Sequence, residues 1–289
     1  MRHIAHFAAA APGGASTAAL RISRSVEPYV GSSRLIELAR QRNLTGSGPR
    51  WVALHLQRSS NPVHRSVNIT GSGILAGVEF MATDAAHLHW VGDELLSVQQ
   101  IGRLAAEMPV VWTLHDTWAF TGADHHPKDE TDIRYRVGYT KDSRLPGDGR
   151  IDVDAWVFRR KLRAWKSPMW LVAPSSHVMK MASESTLASS WPVTVIPNPV
   201  DCNVFTDASS AERVELRHKL EVDGDEPLIL FGSGSRASHT KGIDLLAGSL
   251  PELRRRLPTA RFMTFGPISD ELPDWVTQVG SIADATSLR

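Results

Sequence analysis

The chain has 289 residues, room for two domains at about 150 residues each. It is 42% hydrophobic and 22% charged, which excludes a wholly disordered polymer; its 32 Lys and Arg against 31 Asp and Glu leave a formal charge of +1, which gives no whole-chain case for a nucleic-acid partner. The single cysteine, Cys202, excludes an internal disulfide framework and an all-cysteine zinc site, and no apolar run reaches the roughly 20 residues of a membrane-spanning helix.

Taken in order, the first segment is Arg2 followed by His3-Ile4-Ala5-His6-Phe7-Ala8-Ala9-Ala10-Ala11. Two histidines interrupt it, so it reads as a first β-strand running into the turn Pro12-Gly13-Gly14 rather than as a secretory signal. With one cysteine, that reading favours the cytoplasm. Strand-length apolar runs recur at 3–8, 51–57, 86–91, 110–114, 170–173, 193–196, 228–231, 261–265 and 276–279. Several are continuous rather than alternating, as in parallel strands buried on both faces. Between them helical patterns occupy 16–24, 94–107, 154–165, 177–185, 209–220 and 243–257. Strand alternating with helix predicts a doubly wound α/β architecture. Residues 121–152, charged and without periodicity, read as an insertion or long loop over the first sheet. Pro197-Asn198-Pro199-Val200-Asp201 reads as a domain junction, because proline stops both helix and central strand. This predicts a domain over 1–197 and a partial one over 198–289, with the chain ending inside the second.

Four stretches carry candidate chemistry. Gly13-Gly14-Ala15, between strand and helix, sits where phosphate-binding turns occur; the alternative is a tight turn. His115 and Asp116 fall at the carboxyl end of a buried strand, where open α/β sheets bind ligands, and suit sugar hydroxyls or acid–base work. Asp124, His125 and His126, with His115 and Asp116, raise a metal-dependent hydrolase, but no recognised ligand spacing is present, and a loop of solvated polar groups is the plainer expectation. Arg236 and Lys241, on the Gly/Ser-rich loop 233–242, offer a fork of donors and a point charge for a diphosphate. Finally, Arg159-Arg160-Lys161-Leu162-Arg163-Ala164-Trp165-Lys166 suits an anionic lipid surface; the ordinary alternative buries tryptophan and leaves the arginines in water.

The order of Ala86-His87-Leu88-His89-Trp90, Trp112-Thr113-Leu114-His115-Asp116-Thr117-Trp118-Ala119-Phe120-Thr121-Gly122, Ala173-Pro174-Ser175-Ser176, Val195-Ile196-Pro197-Asn198-Pro199-Val200-Asp201 and Lys241-Gly242 resembles bacterial glycosyltransferases of family four, in the branch of colanic-acid and exopolysaccharide enzymes. That resemblance implies a GT-B fold of two Rossmann-like domains, the first on the acceptor side and the second binding the donor. It implies transfer of a sugar, usually with retention, from a nucleoside-diphosphate donor to a saccharide or lipid-linked acceptor. No metal or cofactor is expected; peripheral contact with the inner membrane surface is the alternative that the basic helix 159–166 leaves open. By position Gly13, Gly14, Arg236, Lys241 and Gly242 match donor-binding residues and His115 the histidine lining the sugar site, with Asp116 beside it as the second catalytic candidate. Where relatives carry a cysteine cluster, this chain has Ala123-Asp124-His125-His126-Pro127. It also ends before the helix that bears the family's paired glutamates. A non-catalytic sugar- or nucleotide-binding remnant is the rival expectation.

Overall fold

The computed structural model describes residues 1–10, 13–39, 57–59, 61–71, 73, 83–232, 241–266 and 272–282, the side chain of Arg150 excepted. The chain divides into two compact units, Met1–Pro199 and Val200–Arg289.

The strands of the first unit are β1 (His3–Ala9), β2 (Ser32–Leu38), β3 (Gln57–Arg58), β4 (Ala85–Leu88), β5 (Val110–Thr113), β6 (Gly149–Arg150), β7 (Trp170–Ala173) and β8 (Val193–Val195). Its helices are α1 (Gly14–Val26), α2 (Val98–Glu107), α3 (Arg134–Val137), α4 (Val153–Ala164) and α5 (Ser176–Glu184). Six strands form one parallel sheet in the order β2-β1-β4-β5-β7-β8, and β3 pairs antiparallel with β6. From β1 the chain winds outward first to β2 and then, through β4, the other way. The switch point of this α/β sheet therefore lies between β1 and β4, and ligands of such sheets bind outside the carboxyl ends there.

The sequence suggests strands buried on both faces, and β1 is buried without interruption from Ala5 to Ala9; what alternates with a period of two is the chemistry of the side chains. Ala5, Phe7 and Ala9 of β1, Ala86 and Leu88 of β4, and Val110, Trp112 and then Leu114 along β5 all enter one apolar cluster. The alternate positions hold His6, His87, His89, Thr113 and His115, together with the apolar Ala8 and Val111. On the apolar side α2 and α4 meet closely enough that a β-carbon at Gly102 would lie 2.4 Å from the Ala164 carbonyl oxygen. Trp112, Trp118 and Trp165 pack there at ring separations of 5.6–6.1 Å.

Helix starts follow their caps. The helix expected at 94 begins at Val98, because Ser97 and Gln100 form a capping box while Asp93 and Glu94 turn the chain with φ of 54° and 65°. Asp152 caps α4 through Ala155 N (2.9 Å). The segment 121–152, expected as an insertion or long loop, is packed: Thr121, Ala123, Asp124, His125, Arg134, Tyr135 and Tyr139 are buried, and α3 and β6 lie within it.

The second unit contains α6 (Ser210–Lys219), β9 (Leu228–Gly232), α7 (Ile243–Arg256), β10 (Arg261–Phe265) and β11 (Thr277–Gly280). Its strands form a parallel sheet in the order β11-β10-β9, over a core of Leu250, Ala260, Phe262 and Val276. Leu245 of α7 is 75% exposed. Among the described residues no helix is long and apolar enough to cross a membrane. Of the expected strand 51–57, residues 51–56 fall outside the described residues, and Gln57 belongs to β3.

Candidate functional site

The carboxyl ends of β1, β4 and β5 bring four imidazoles together. His6 on β1 lies in register with His87 on β4, and His89 follows two residues later on the same face. Ring centroids are 4.8 Å apart for His6 and His87, 4.3 Å for His87 and His89, and 5.4 Å for His89 and His115. The rings are also linked by hydrogen bonds. His6 Nδ1 lies 3.3 Å from His89 Nε2, and His89 Nδ1 lies 3.1 Å from His115 Nε2. His87 Nε2 is 2.8 Å from Thr113 Oγ1, and His6 Nε2 is 3.1 Å from Ser33 Oγ.

Burial keeps these rings neutral. It lowers His6 to about 4; His87 falls to about 3 through burial and then through repulsion from His6 and His115. His89 is lowered by burial and by its three imidazole neighbours. His115 is lowered by burial, partly offset by the Asp116 charge. A neutral imidazole carries one donor and one acceptor, so the row suits polar, uncharged groups.

Asp116 follows His115 in sequence, but its carboxylate turns to His125. The Oδ2–Nδ1 distance is 2.5 Å, while Oδ1 accepts from Trp118 N at 2.9 Å. Burial alone would raise this carboxyl; the His125 charge and hydrogen bond, with the Trp118 amide, outweigh it and bring Asp116 down to about 2. His125 Nε2 meets Ser66 Oγ at 2.7 Å, and the His125 carbonyl accepts from Thr117 N and Oγ1. The expectation of a solvated His125 is thus corrected: it is a buried pin of the 116–125 loop, and its neighbour His126 is partly exposed. Among the described residues His115, Asp116, His125 and His126 do not form a metal-holding group; His125 meets Asp116 and Ser66 through its two nitrogens.

The same loop is held from below by Lys161, which is fully buried. Its ammonium sits 3.7 Å from the centroid of the Trp118 ring and donates to the carbonyls of Trp118, Thr121 (3.2 Å) and Gly122 (2.8 Å). Burial pushes its pKa well down, opposed by Asp124, Asp116 and Asp154. Gly122 is required by proximity: a β-carbon would lie 2.7 Å from the Asp154 carbonyl oxygen. On the basic helix, Trp165 is buried, but Arg160 is not simply in water. It lies 4.7 Å from the Trp156 ring centroid and donates to the carbonyls of Val67 and Asn68.

Gly13 is the N-cap of α1 and Gly14 its first residue; no side chain caps the helix. Both glycines are exposed, and among the described residues nothing lies within 4 Å of a β-carbon built at either. Lys241 is exposed in the second unit, followed by Gly242 in the left-handed conformation (φ 65°) at the N-cap of α7. Arg236 lies outside the described residues.

Sequence reasoning marked His115 but gave no role to His6, His87 or His89, and it missed buried Lys161. A signal for the lysine exists: Val153, Val157, Lys161 and Trp165 recur every four residues, which puts the lysine on the apolar stripe.

No protein-family model matches the chain, and no curated protein matches its sequence. Solved structures do resemble it. Anabaena HepE in complex with UDP-glucose superposes with a TM-score of 0.55 at 16% identity, covering 100% of this chain and 71% of HepE. The complex of HepE with UDP and glucose gives 0.52 at 17% identity and the same coverage. A glycosyltransferase from Rickettsia africae gives 0.50 at 14% identity, covering 99% of this chain and 70% of that one. At such identities the likeness establishes architecture, and the architecture is α/β of the GT-B type, carried by parallel sheets in both units.

Proposed function

We propose that the chain takes a nucleoside-diphosphate sugar as donor and transfers its glycosyl group to a saccharide or lipid-linked acceptor, with retention, in polysaccharide synthesis at the cytoplasmic face of the membrane. One observation carries this reading. The switch point of the first sheet combines unobstructed glycine backbone with a row of neutral imidazoles, on a fold whose solved likenesses hold UDP and UDP-glucose.

The chemistry assigns the parts. When the bond from the anomeric carbon to the diphosphate breaks, negative charge builds on the departing oxygens, and fixed N–H donors and cations stabilise it. The α1 N-terminus at Gly13 and Gly14 supplies the donors; Arg236 and Lys241, with the turn at Gly242, supply the countercharge. His115 meets the sugar: its Nε2 is engaged by His89, and its other nitrogen is left for a hydroxyl. Asp116, paired with His125, holds the loop that presents His115 rather than reacting itself. The domains follow the same division, 1–197 for the acceptor and 198–289 for the donor nucleotide.

Calorimetry of the full chain with UDP and UDP-glucose tests the reading. Lys241→Ala should weaken UDP binding by roughly 1.5–3 kcal/mol, the range for hydrogen bonds to charged groups. Undiminished affinity removes Lys241 from the site, and an absence of UDP and UDP-glucose binding to the unaltered chain removes the proposed donors.

A further inference from the structure

We propose that His6, His87 and His89 form a three-imidazole site for a divalent transition cation, zinc above all. This is independent of the donor assignment. One nitrogen from each ring lies within 4.8 Å of the other two. The 3.3 Å between His6 Nδ1 and His89 Nε2 is about the edge of a tetrahedron whose metal–nitrogen bonds are roughly 2.0–2.1 Å.

The backbone explains why the three converge. Residues two apart on a strand share a face, and the in-register residue of the neighbouring parallel strand projects beside them. His87 and His89 on β4 with His6 on β1 therefore form a triangle mounted on two hydrogen-bonded strands, a rigid support for a ligand set. All three imidazoles are buried, His87 the least so.

The surroundings match what a ligating histidine needs, a partner for its second nitrogen. Ser33 Oγ gives its proton to the Ser23 carbonyl (2.7 Å), so it accepts from His6 Nε2–H and leaves Nδ1 with a lone pair. His87 has Thr113 Oγ1 at its Nε2, and His89 has His115 Nε2 at its Nδ1. His6 and His89 are thus each anchored at one nitrogen and present the other to the triangle. Without metal, His89 Nε2–H donates to His6 Nδ1. Zinc takes both inner lone pairs, so the His89 proton moves to Nδ1 and is held by His115 Nε2. The ion thereby fixes the tautomer of His115, and a fourth coordination position remains for water or another oxygen ligand. Imidazole sets of this kind favour zinc, copper or nickel over magnesium or calcium.

The test uses the full chain, stripped with a chelator and desalted. Zinc titrated against a chromophoric competitor at pH 7.5 should bind at one per chain with about micromolar or tighter affinity. His87→Gln and His89→Gln should each weaken binding by at least about a hundredfold, and His177→Ala should not change it, with circular dichroism reporting the fold of each variant. Cobalt(II) on the unaltered chain gives a check that needs no variant: the intense visible bands of four-coordinate cobalt are expected. Binding below one per chain, full affinity in a folded His87→Gln protein, or a weak six-coordinate cobalt spectrum would each overturn the site.

Discussion

The two faces of the six-stranded sheet are built from neighbouring residues of the same strands, yet they differ in kind. One carries Phe7, Leu88, Trp112 and Leu114, all 3% exposed or less and sealed by α2 and α4. The other carries His6, His87, His89, Thr113 and His115, joined ring to ring at its carboxyl edge. Burial of apolar area is the term that stabilises a domain, whereas a run of buried imidazoles gives up apolar contact for hydrogen bonding that lower-cost side chains would make unnecessary. The comparison separates a face that holds the unit together from one that we propose meets ligands.

The largest effect expected from this division lies on the apolar face. Trp112→Ala should destabilise the first unit by about 3–5 kcal/mol, the cost of truncating a fully buried tryptophan, measured by urea denaturation. A loss below about 1 kcal/mol would mean that stability does not reside on that face. A smaller effect belongs to the loop joining the faces. Folding lowers Asp116 from 3.8 to about 2, so the pair with His125 contributes its stability above about pH 4. As pH falls toward 2, unfolding takes up a proton and that contribution, roughly 2 kcal/mol, is lost. Asp116→Asn should flatten the stability–pH curve in this window; an unchanged slope would show that the pair does not support the loop.

How much of this was legible in the sequence varied from one face to the other. Strands 170–173 and 261–265 were read at their observed limits, because a short apolar run bounded by turn residues is too brief for a helix and too apolar for a loop. β2, Ser32–Leu38, gave no such signal: at the edge of the sheet it mixes Ser, Arg and Glu with only three apolar residues. His115 was legible from its position after a strand. His125 was not, since its burial depends on Asp116, nine residues away, and on Ser66, fifty-nine away. The histidine row was hidden for a similar reason. His6 and His89 are separated by 83 residues and meet only once β1 and β4 are paired.

The smallest structural effect should accompany the largest functional one at His115, and that contrast tests the division of the faces most directly. His115 is partly exposed at the edge of the row, so His115→Ala should change the stability of the chain by less than about 1 kcal/mol. The measurement is release of nucleoside diphosphate from the sugar donor, read beside calorimetric affinity for the free nucleoside diphosphate, in the unaltered chain and in His115→Ala. If the imidazole face acts on the sugar, turnover falls by at least about tenfold, a barrier increase of roughly 1.4 kcal/mol, while nucleotide affinity stays within about twofold. Undiminished turnover, or a loss of nucleotide affinity as large as the loss of rate, would contradict it.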